Sequence, residues 1–130
     1  YKGILTDKSR ASHLSKCFVN KLAQKTEAYQ LSKGILLSDG AYFHSKPELN
    51  IYADDVKCSH GSTIGPFDEN IMFYFRSRGI PKQQATALLI QSFFSDIFES
   101  LTAKWWDSDE NDFEILIKNS IKQWLESKNY

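Results

Sequence analysis

The chain is poor in cysteine and proline and has no surplus of charge, and each shortage removes a class of protein. Its 130 residues hold only Cys17 and Cys58. The two are far apart and match no C-x-x-C zinc spacing. They could close one disulfide, but so few cysteines suit a reducing compartment at least as well. Sixteen basic residues offset sixteen acidic ones, so no basic surplus points to a nucleic-acid surface or an anionic membrane as main partner. No apolar run approaches the ~20 residues a membrane helix needs, and no basic-plus-apolar leader opens the chain. The opening, YKGILTDKSRASHL, lacks an initiating Met and reads as the middle of something longer. A chain of this length buries roughly two-thirds of its unfolded surface and needs no metal or disulfide to fold.

The chain is written in two grammars. Residues 1–66 alternate short strands with turns. The expected strands are Gly3–Thr6, Lys16–Asn20, Ala28–Leu37, Ala41–Ser45, Leu49–Ala53 and Val56–His60. Lys33-Gly34, Ser38-Asp39-Gly40, Lys46-Pro47, Asp54-Asp55 and Gly61 serve as punctuation. Connections this short leave no room for crossover helices. A meander, a sandwich or a stack of parallel strands fits, and no clean internal repeat forces the last of these. Residues 67–130 change to helical period. Asp68 suits an N-cap and Gly79 a stop, which predicts a helix over 69–78. Pro81 opens a second helix, with Ala85, Leu88, Leu89, Phe93, Ile97 and Leu101 on its apolar rows. After a break at Asp107-Ser108-Asp109, a last helix carries Phe113, Leu116, Ile117, Ile121, Trp124 and Leu125 on one stripe. Strands followed by helices describe a β unit with a helical cap, not an alternating α/β sheet.

The candidate chemistry is sparse. Gly61-Ser62-Thr63-Ile64-Gly65 lacks the Gly-Lys-Ser/Thr ending of a phosphate loop and reads as a turn. Asp54 and Asp55 are neighbours on opposite sides of an extended chain, so they do not form the acid pair of a carbohydrate-cleaving β-helix enzyme. His13 and His44 fit surface or turn positions. Cys58 and His60 are two apart on a strand and so share a face, with Ser59 turned away and Gly61 expected to remove bulk beside them. Spacing alone leaves this pair either structural or metal-binding. Phe73, Tyr74, Phe75, Arg76 and Arg78 place aromatics beside cations on one short helix. They form either a core stripe with a solvated edge or a docking surface. Trp105 and Trp106 pose the same choice.

The stretch SKPELNIYADDVKCSHGSTIGPFDENIMFYFRSRGIPKQQATALLIQSFFSDIFESL, with AQKTEAYQLSKGILLSDGA upstream, resembles the C-terminal signature of the SufB/SufD family. These are the scaffold proteins of the SUF system for iron–sulfur cluster assembly. KCSHGSTIG sides with the SufD type, because Gly61 stands where SufB-type chains carry an acidic residue. The tail after Leu101 resembles the family only loosely. The resemblance implies mainly β structure plus α: the C-terminal rungs of a right-handed parallel β-helix over 1–66, then a helical domain over 67–130. It implies a non-catalytic scaffold subunit of a SufB–SufC–SufD (SufBCD) complex, with ATP hydrolysis left to the SufC ABC-type ATPase. It also implies a transient iron–sulfur cluster at the SufB interface, held in part by His60 and Cys58, and SufC docking near Phe75, Arg76 and Arg78. Bacterial cytoplasm, or alternatively a plastid-type organelle, is the implied setting. Read as a C-terminal fragment, the chain is expected to self-associate as a homodimer through its open rung or its SufB-facing edge. An interaction-only module with a structural Cys/His pair is the competing reading.

Overall fold

A computed structural model describes residues 1–105 and 111–127. The expected break at Asp107-Ser108-Asp109 and Trp106 lie outside the described residues, as do the side chains of Leu101, Trp105, Phe113 and Ile117. Five strands come first: β1 (Lys2–Leu5), β2 (Arg10–Val19), β3 (Glu27–Leu36), β4 (Tyr42–Ile51) and β5 (Lys57–Gly65). Three helices follow: α1 (Glu69–Ser77), α2 (Lys82–Trp105) and α3 (Asn111–Ser127). The chain separates into two compact units, residues 1–67 and 68–130.

In the first unit consecutive strands alternate between two sheets. One has the order β1-β3-β5 and the other β2-β4, and every pairing is parallel. Lys2 lies beside Lys33, Arg10 beside Tyr42 and Glu27 beside Lys57, so each strand finds its partner 30 to 32 residues away. A repeat is therefore present after all. It even surfaces as identical letters, since Lys2-Gly3-Ile4-Leu5 lies in register on Lys33-Gly34-Ile35-Leu36. Elsewhere stacking asks only that inward and outward positions match, and so the letters diverge.

Three expected turns are not turns. Lys33-Gly34 lies inside β3, Lys46-Pro47 inside β4 and Gly61 inside β5. Gly34 is small because the buried ring of Phe43 packs on it. Pro47 is tolerated because β4 is paired on one side only, which leaves an open side for a residue without an N–H. Consequently the two short strands expected across 41–53 are one strand of 10 residues. Asp54-Asp55 does mark a corner. There the Asp55 N–H donates to Gln24 Oε1 at 2.9 Å, tying this corner to the one a turn earlier.

The interior between the sheets is half apolar and half polar. Leu5, Ala41 and Phe43 form the apolar end, with Ala11 and Leu36 packed against them. Further along, the Ser15 hydroxyl of β2 donates to Gln30 Oε1 of β3 at 2.7 Å. Gln30 Nε2 donates in turn to the Glu48 carbonyl of β4 at 3.1 Å. These bonds fix which side of each strand faces inward.

In the second unit, Asp68 caps α1 by accepting the Asn70 N–H at 2.8 Å. Gly79, at φ +78°, supplies the left-handed residue that ends it. The Pro81 carbonyl takes the Ala85 N–H at 2.9 Å as α2 begins. Ala85, Thr86 and Ile90 are buried on α2 and Leu125 on α3. The expected α2 stripe is thus rotated: Leu88 is exposed, and Ile90, which the stripe omitted, is among the most buried residues. Leu116 of the α3 stripe is likewise exposed.

Candidate functional site

β5 is the last strand of its sheet and is paired only with β3. Its register sets Cys58 beside Ala28, His60 beside Gln30 and Ser62 beside Ser32. Residues level in a parallel pair face the same way, and successive residues alternate. Since the Gln30 side chain reaches across the interior to β2 and β4, Cys58, His60 and Ser62 point to that inward side as well. Cys58 is half-buried and a free thiol, whereas His60 is exposed. An inward-facing yet exposed imidazole is a consequence of position: among the described residues no strand stacks beyond β5.

Gly61 plays another part than expected. A Cβ there would lie 3.4 Å from Leu31 Cδ1 and 3.5 Å from the Tyr29 hydroxyl. Both belong to the outward face, so Gly61 lets the Tyr29 and Leu31 side chains lie across the sheet. It clears no space beside His60.

Among the described residues no three His, Cys, Asp or Glu side chains converge as a metal site. Cys58 and His60 therefore offer two donors. An iron–sulfur cluster takes about four protein ligands, Cys thiolates with His as an occasional replacement. The chemistry of the donor set fits iron, and its number fits a shared site. His13 is not the surface histidine expected: it lies on the inward face of β2, stacked on Tyr1 with ring centroids 4.3 Å apart. His44 is exposed on β4. Gln30 and Ser15, which line the interior next to His60, were missed. The signal for them was polar residues recurring at every second position of a strand.

On the outward side of β4, Lys46 Nζ lies 3.0 Å from Glu48 Oε1 and Lys16 Nζ 3.8 Å from Glu48 Oε2. The Lys46 hydrogen bond, then the charges of Lys46 and Lys16, hold the Glu48 carboxyl below its ordinary value.

On α1 the aromatic set divides. Phe75 is half-buried, Arg76 is exposed, and the Arg78 guanidinium sits 3.7 Å over the Tyr74 ring. Ile71, Phe73 and Tyr74 are the exposed apolar side chains, Phe73 most of all at 72 %. Ile71 and Tyr74, one turn apart, share a face, whereas Phe73 points away from Ile71; exposed apolar side chains of this kind are what a partner protein can cover.

Residues 1–93 match the family model described as SUF system FeS cluster assembly, SufBD core domain. The chain belongs to this family. Two of the relatives it matches are named SufD, and the chain is of the SufD type. It is 42% identical over 101 residues to the iron-sulfur cluster assembly protein SufD of Escherichia coli, covering 78% of this chain and 24% of that protein. It is 48% identical over 81 residues to protein ABCI7, chloroplastic, of Arabidopsis thaliana, covering 62% and 17%. SufD of Plasmodium falciparum is 31% identical over 124 residues, 95% of this chain and 8% of that protein. The chain thus spans a quarter or less of the length of these relatives. No helix among the described residues is long and apolar enough to cross a membrane.

Proposed function

We propose that this chain is part of a SufD-type scaffold subunit for iron–sulfur cluster assembly, working with a SufB-like paralogue and a SufC-like ATPase. The observation that carries the reading is the terminal strand β5. It presents an exposed imidazole and a half-buried thiol on one face, two donors of an incomplete ligand set, on a strand that pairs with no further strand among the described residues. An edge of that kind accepts a strand from another chain. A partner that pairs there brings the missing ligands. The nascent cluster is cargo, built and released, and histidine is an occasional replacement for a thiolate ligand on such clusters.

The alternating parallel strands support the rungs of a right-handed parallel β-helix, with residues 68–130 as a separate helical domain. The exposed Ile71, Phe73 and Tyr74, with Arg76 and Arg78 near them on the helix, support docking of the ATPase on α1. Hydrolysis of ATP belongs to that partner, and the scaffold itself turns over nothing. The bacterial and chloroplast names of the relatives support a cytoplasmic or plastid setting.

The test is His60→Ala in the complete protein, in cells that depend on the SUF system. Loss of growth with unchanged co-purification of the SufB-like and SufC-like partners is expected, and Cys58→Ser should be milder. Full growth with His60→Ala would overturn the ligand role and leave an interaction module with a structural Cys/His pair.

A further inference from the structure

The interior of the first unit contains polar groups that the protein itself does not satisfy. His13 Nδ1, Ser32 Oγ and Ser45 Oγ are buried and meet no hydrogen-bond partner among the described residues. They sit on three different strands, β2, β3 and β4, yet the geometry brings them to one level. His13 and Ser45 are register partners. Across the interior, Gln30 meets Ser15, while Gly34 meets the ring of Phe43, the register partner of Ala11. Ser32 stands midway between Gln30 and Gly34. It therefore faces the positions midway between Ser15 and Ala11 on β2 and between Pro47 and Phe43 on β4. Those are His13 and Ser45. The level is closed on one side by aromatic rings, with Tyr1 stacked between His13 at 4.3 Å and Phe43 at 5.5 Å.

A buried polar group without a partner is unfavourable, and three together on one level are uncommon in a native interior. A single water molecule can accept from both hydroxyls and donate to the imidazole nitrogen, within the two to four bonds such waters usually make. Two of the three side chains are serines, the smallest that carry a hydroxyl, and Ser32 is only 2 % exposed. We propose that the first unit binds one buried water molecule through His13 Nδ1, Ser32 Oγ and Ser45 Oγ. Ser62, the register partner of Ser32 on β5, is exposed. That row lies next to the row of Gln30 and His60, so an internal hydrated level borders the imidazole whatever His60 binds.

Two measurements test the water. Ser32→Ala and Ser45→Ala are made separately in the complete protein and their thermal midpoints recorded. If water is bound, each substitution removes one of its partners and the midpoint falls by roughly 2–4 °C. If the hydroxyls are unpaired, removing one relieves a desolvated group and the midpoint rises, which overturns the proposal. Should a variant fail to fold, a high-resolution crystal structure of the unaltered protein decides. A density peak within about 2.7–3.2 Å of all three atoms supports the site. A clean map without it, or a direct bond between His13 and Ser45, overturns it.

Discussion

Adding one methyl group at Gly34 tests how tightly the two sheets are fitted. A Cβ there would lie 3.1 Å from Phe43 Cε1 and 3.3 Å from Cγ, with Cδ1 closer still. Phe43 is 4 % exposed and belongs to the apolar cluster with Leu5 and Ala41, so its ring has little room to retreat. Gly34 has no positive φ to protect. By backbone entropy alone, alanine would therefore gain about 0.5–1 kcal/mol in a strand. Overpacking a filled core costs about 1–3 kcal/mol. The steric effect is the larger, and Gly34→Ala should lose about 1–2 kcal/mol. At roughly 4 °C per kcal/mol, the thermal midpoint followed by circular dichroism should drop by ~4–8 °C. Phe43→Leu, a truncation costing about 1–2 kcal/mol by itself, makes room for the new methyl. The double substitution should then be no worse than Phe43→Leu alone, a coupling of ~1 kcal/mol or more. Two costs that simply add, or a stabilised Gly34→Ala, would refute the packing argument.

Two further outcomes are expected. On α1, Phe73→Ala should weaken capture of the SufC-like ATPase about 10-fold while leaving the melting curve unchanged, because Phe73 is the most exposed of the set. Phe75→Ala should lower the midpoint, since that ring is half-buried; the reverse pattern would move the docking surface off these exposed side chains. Glu48 should titrate below its ordinary value of 4.5 by carboxyl NMR, and Lys46→Ala should bring it back up. With a depressed folded value, the small stabilisation is present at neutral pH and is lost as pH falls below about 4.5 through the folded value. An unchanged titration in Lys46→Ala would show the pair to be open in solution.

The division into strands and helices was legible because hydrophobic period changes from two to 3.6 after Phe67. So was the cap of α1, because Asp68 and Gly79 act locally. The continuity of the strands was not. Gly34, Pro47 and Gly61 look like breaks when read one at a time. What excuses each lies on another strand or in an empty edge: the Phe43 ring, the unpaired side of β4, the Tyr29 and Leu31 side chains. The shared face of Cys58 and His60 followed from alternation alone. That this face turns inward did not, because it depends on Gln30 reaching Ser15 and Glu48. The repeat was visible in the letters, Lys-Gly-Ile-Leu twice over, but four residues in 130 pass unnoticed until the register lays one on the other.

A constant spacing between stacked strands also has a mechanical meaning. Because each strand is held by one 30 to 32 residues away, tension on the chain finds no long-range tie that secures the whole unit at once. The strand at the end gives first, and each detachment frees a near-constant length of slack, about 100 Å when drawn straight. Such a stack yields like a zip fastener, tooth by tooth, and its outermost tooth is β5, the strand that carries His60.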